Sequence, residues 1–199
     1  MKRGRGPGAG QGHAPLVIAV MALWPAHAIA ESNCGPFAQI REKAALRPAL
    51  ALECAASSRS PAQREWVLRE AFTAAMRSDP ETAAPHAARL LDRRWVLDAG
   101  FFPAQRVASL LGRSDVGAAH RLMLIAARRF PGVALRESES ISDQDVFDAA
   151  AESAPDEAVG LAAGKGSTAA SITARLSAST EPVVRRIAAL AAGTAKPLW

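Results

Sequence analysis

Chemistry in this sequence has to come from few side chains: His86, His120, Cys34, Cys54 and a run of carboxylates between residues 137 and 157. That run places Asp143, Asp145 and Asp148 close together, and no lysine or arginine follows Arg136 until Lys165. A histidine beside one of these acids would be a general base with its orienting partner. One reading is therefore an envelope enzyme whose site is assembled from His120 and the acidic residues of 137–157. It needs a pocket that holds two such groups within hydrogen-bonding distance.

Compact motifs fail on inspection. The stretch GLAAGKGST, Gly160 to Thr168, evokes a phosphate loop, but Val159 stands at the first glycine position and Gly166 where Ser or Thr must follow the lysine. Asp143 and Asp145 open a calcium-loop pattern that Phe147 and Asp148 break, since an oxygen ligand and a glycine belong there. The favoured reading of these acids is a helix start, where negative charge meets the positive end of the helix dipole. In GRSDVG the second glycine is one residue too late for a nucleophile elbow. No H-E-x-x-H, G-x-S-x-G or S-x-x-K occurs. The expectation is a protein without catalytic activity, cofactor or metal.

Cys34 and Cys54 have neither metal-site nor C-x-x-C spacing, so a disulfide closing a loop of about twenty residues is expected. The start of the chain suits this. Lys2, Arg3 and Arg5 precede an uncharged run from Pro15 to Trp24, and Ala28-Ile29-Ala30 offers a small-x-small cleavage site. The run is shorter than the about 20 apolar residues of a membrane span. Residues 1–30 thus read as a signal peptide cut near Ala30, and residues 31–199 as one domain of a periplasmic or secreted bacterial protein with no remaining transmembrane segment. The formal charge of +5 falls near +2 once the three leading bases leave. Export and the lack of a dense basic patch argue against nucleic acid. The arginine-rich half, residues 41–136, leaves an anionic lipid or polymer surface as a third reading.

The elements that must position these groups are helices. Apolar residues recur at steps of three and four, strand-like alternation is absent, and prolines stand just inside helix starts. The pattern predicts about ten helices, near 37–46, 48–57, 61–77, 81–98 with a break possible at Pro85, 103–111, 116–130, 143–152, 155–163, 168–178 and 181–192. Ser60 with Gln63, and Ser142 with Asp145, read as helix-start pairs. Residues 130–142 form the longest irregular piece, a candidate hinge with a short strand at Val133–Leu135. Helix 116–130 is apolar almost all round, as a helix packed between two neighbours must be. The fold class expected is all-α, stacked antiparallel helical hairpins.

REWVLREAF from Arg64 and RRWVLDAGF from Arg93 align at an offset of twenty-nine, placing Trp66 over Trp95 as if in a short helical repeat. PVVRRIAALAAG, Pro182 to Gly193, resembles the second helix of a HEAT-type repeat at Pro182, Val184, Arg185, Ala188, Ala189, Ala191 and Gly193. The resemblance covers residues 181–193 and implies a short α-solenoid that binds other proteins on a curved surface, with no enzymatic residues. Trp66 falls opposite the main apolar stripe of its helix, beside Arg69 and Arg77. An aromatic flanked by arginine has the composition of an interface anchor. The leading expectation is an interaction or scaffold module whose partner is another envelope or secreted protein.

Overall fold

Proline and short polar side chains decide where most of the helices begin, and Gly100 and Gly166 precede two others. In the computed structural model, which describes Cys34, residues 36–55 and residues 60–193, the chain is all-α and no strand occurs among the described residues. The helices are α1 (Phe37–Leu46), α2 (Pro48–Ala55), α3 (Pro61–Ser78), α4 (Pro80–Leu90), α5 (Phe101–Leu111), α6 (Val116–Arg129), α7 (Pro131–Arg136), α8 (Gln144–Ser153), α9 (Pro155–Ala162), α10 (Ser167–Ala178) and α11 (Pro182–Ala191). The expected signal peptide and its cleavage site lie outside the described residues.

Pro61, Pro80, Pro131, Pro155 and Pro182 occupy first turns, where a missing N–H loses no helical bond. The side chains of Ser60, Asp79 and Asp115 accept the N–H groups of Gln63, Thr82 and Ala118 at 3.5, 3.2 and 2.8 Å. The hydroxyl of Thr82 adds a 2.7 Å bond to Asp79.

Helices pack on their nearest neighbours along the chain. α1, α3 and α5 touch in succession, as do α7, α9 and α11, and a second row runs α4, α6, α8, α10. The result is layered hairpins around one continuous core rich in alanine, which lets helix axes approach closely. Position in the stack sets how many sides a helix hides. α8 touches α6, α7, α9, α10 and α11, and Val146 to Ala151 are all buried. α10 buries only the stripe Ala169, Ile172 and Leu176, and α11 only Val184 and Ile187. At the other end Cys34 and Cys54 form the expected disulfide, their Cα atoms 5.4 Å apart, tying the segment before α1 to α2.

Three local expectations need correction. The helix expected to run to residue 98 stops at Leu90, and residues 91–99 are consecutive turns held by i→i+3 bonds such as Val96 N–H to the carbonyl of Arg93. Side chains compensate there: the Trp95 indole N–H donates to Glu65 at 2.6 Å, its ring meets Phe72 edge-on, and Arg77 donates to the Asp98 carbonyl. Trp66 therefore sits mid-helix and Trp95 in a turn, so the twenty-nine-residue offset does not relate equivalent positions. The strand expected at Val133–Leu135 is instead part of α7, because Pro131 starts a helix as the other prolines do, while residues 137–143 stay irregular. Finally, Pro85 does not break α4.

At Gly132 the Glu157 carboxylate of α9 lies against the first turn of α7 and pairs with Arg136, and an added Cβ would make that carboxylate swing aside. At the far end, reducing the disulfide should lower the free energy of unfolding by about 3 kcal/mol for a loop of this size. Urea titrations with and without reductant measure that difference, and Cys54→Ser should reproduce it.

Candidate functional site

A cleft of about 550 Å³ opens where α5, α6 and the entry to α8 meet. Helical spacing supplies two walls. Gln105, Arg106 and Ser109 line up along α5, and Val116, Ala119, His120 and Met123 fall at i, i+3, i+4 and i+7 on α6. The third wall is the segment Ser140 to Asp143, with Val146 from the first turn of α8.

His120 and Asp143 meet at this junction. Nδ1 of His120 lies 2.7 Å from Oδ2 of Asp143 and donates to it, while Nε2 is 4.0 Å from Asp145. The other oxygen of Asp143 accepts the N–H groups of Asp145 and Val146 at 2.9 and 3.4 Å. One carboxylate thus caps α8 and grips a ring on α6. The cap is Asp143 and not Ser142, whose side chain leaves the helix start free. The cleft therefore contains the histidine–acid pair that the enzyme reading required. Ser109, Ser140 and Ser142 also line it.

Burial pushes the Asp143 carboxyl up, but the His120 hydrogen bond and charge and the two backbone N–H groups outweigh it and hold the group below the usual carboxylate value. His86, half-buried on α4, is also held below its usual value, by burial and by Arg89 against the opposing pull of Glu53.

Behind the third wall lies Arg175 of α10. Its guanidinium donates to the carbonyls of Ser138, Ile141 and Asp143 and to the side-chain oxygen of Gln144, and it stacks 4.6 Å from the centre of the Phe147 ring. Burial pulls the Arg175 pKa below its usual value, and Asp148 and Asp143 oppose this. Asp148 is turned into the core, where Ser179 and Gln144 each donate to it at 2.7 Å. The acidic block thus faces basic groups from elsewhere in the fold: Asp143 on His120, Glu157 on Arg136, and Asp148 near Arg175.

The residues expected to anchor a partner lie elsewhere. Trp66 is half-buried between α1 and α3, edge-on to Phe37 at 5.9 Å and beneath Arg41. Arg69 pairs with the Asp98 carboxylate at 2.8 Å, and Arg77 donates to the Asp98 carbonyl at 3.1 Å. All three take part in internal contacts, and none borders the cleft. Among the described residues no group of three His, Cys, Asp or Glu side chains is arranged to hold a metal. Arg175 escaped sequence reading, although one signal was present: it lies next to Leu176 and three residues after Ile172, on the buried side of its helix.

No family model, curated protein or solved structure matches the chain.

Two measurements follow. Arg175→Met removes the donor that four acceptors share, of which only the Asp143 carbonyl keeps a backbone N–H, and should cost about 3 kcal/mol in urea unfolding, with Arg175→Lys recovering only part because it lacks the planar fork. Asp143 should contribute stability that is fully present above the ordinary carboxylate value of 3.8 and is lost as pH falls through its lower folded value. Asp143→Asn should therefore lose less stability than wild type between about pH 5 and pH 2, as read by circular dichroism.

Proposed function

We propose that this chain is an exported bacterial protein of HEAT-like helical layers, acting as a protein–protein interaction or scaffold module without catalytic activity. The disulfide supports the location, because such bonds persist in oxidising compartments. The layered hairpins support the architecture, since stacked helix pairs commonly present elongated binding surfaces.

The observation that carries the reading is the lining of the cleft, which sets free polar side chains beside apolar ones. The side chains of Arg106 and Ser109 are exposed there and have no hydrogen-bond or ion-pair partner among the described residues. Unspent donors beside the apolar side chains of Val116 and Met123 are the composition of a recognition surface. These side chains support the cleft as the contact region, whereas Trp66, Arg69 and Arg77 already take part in internal contacts.

The His120–Asp143 pair favours a second reading, an envelope enzyme with His120 as general base. It predicts turnover of ester or peptide substrates that disappears in His120→Gln. The interaction reading is tested with Ser109→Trp, which fills the cleft from an exposed position. Full-length tagged chain, cross-linked in an envelope extract, should retain a defined protein that Ser109→Trp loses while keeping the wild-type circular dichroism spectrum. Equal recovery by both proteins would sink the reading.

A further inference from the structure

The wall formed by Ser140 to Asp143 has an alternation of its own. The carbonyls of Ile141 and Asp143, two residues apart, converge on the single guanidinium of Arg175. Asp143 has extended backbone angles, φ −77° and ψ 121°. In an extended chain, carbonyls two residues apart point to one side and the residue between directs its own N–H and C=O to the other. Ser142 is that residue. It is exposed and lines the cleft, and its N–H and C=O have no partner among the described residues. Ser142 is thus a one-residue edge open to the cleft, fixed from behind by a half-buried cation, with Asp143 turning the chain into α8 through its bond from the Phe147 N–H.

The rest of the cleft suits a chain lying along that edge. Ala108, Ala119, Ile141 and Val146 are buried, small or branched side chains at its base, and Met123 is half-buried beside them. From Val116 to Met123, α6 rises about 10 Å, the span of about three extended residues. Arg106, unpaired on the opposite wall, provides a fork matched to a carboxylate.

We infer that the cleft takes an extended peptide segment of another protein, its main chain paired with Ser142 and an acidic side chain or terminus held by Arg106. The inference rests on the interaction reading and names the chemistry of the partner. Strand addition to an exposed edge draws affinity from the main chain and specificity from side-chain pockets.

The probes are randomised hexapeptides on the full-length chain, in an amidated series and a free-carboxylate series, with a synthetic Thr194–Trp199 peptide alongside. Acidic or free-carboxylate peptides should be enriched over the Ser109→Trp control, and Arg106→Gln should weaken them about tenfold. Methylating peptide nitrogens one at a time should abolish binding at alternate positions and spare those between. Three outcomes overturn the inference: no enrichment, affinity unchanged by Arg106→Gln, or methylation without alternation. Preference for Thr194–Trp199 would assign the cleft to this chain's own tail, and self-association abolished by Ser109→Trp would assign it to a second copy. In each of these cases the envelope-extract experiment still decides the interaction reading by itself.

Discussion

One half-buried guanidinium holds the second half of this molecule in register. The turn from α7 to α8 leaves the carbonyls of Ser138 and Ile141 pointing inward, where no helix supplies them with N–H groups, and beside them the Asp143 carbonyl takes the Phe147 N–H of α8. An acceptor stranded in the interior costs more than a made hydrogen bond returns. Arg175 meets all three and braces itself on Phe147. Its planar fork serves several acceptors at once, which the single ammonium of a lysine does less well. The same bonds fix the backbone that forms one wall of the cleft, so packing in the core and shape at the surface have a common cause.

Asp143 extends this coupling outward. Its two oxygens divide their work, one closing the start of α8 and the other holding His120 on α6. Asp148, one turn further on, is enclosed by Gln144 and Ser179. α8 is thus tied to α6 and to the α10–α11 connection by polar bonds, while its apolar faces are covered by the surrounding helices. Alanines at positions 149–151 make this crowding possible, because a bulkier residue would force neighbouring helices apart.

Much of the fold was legible in the sequence because its signals are local. Proline at first turns, capping side chains and periods of three and four place nearly every helix within a few residues. The failures are tertiary. Residues 91–99 keep a helical pattern on paper, yet the chain turns there to bring Trp95 onto Phe72 and Glu65. Residues 130–142 look irregular because six residues are too few to show a period, although Pro131 gave the right sign. At the site, His120 and the acidic run were visible as types and their meeting was not. Arg175 is the largest omission. Nothing in its helix reveals that its partners lie over thirty residues earlier.

The near-neighbour packing of the hairpins also bears on the order of assembly. A helix whose contacts are with the next and the next but one can bury its face as soon as those two exist, so α1 to α5 can condense while later residues are still unformed. Such short-range topologies collapse quickly, because little loop entropy is lost before contacts are gained. The region around α8 is an exception, since it also meets α11 and Ser179, and the inward carbonyls before it wait for a side chain that arrives only with α10. The cleft is then a late product of folding, completed when the last third of the chain closes behind it.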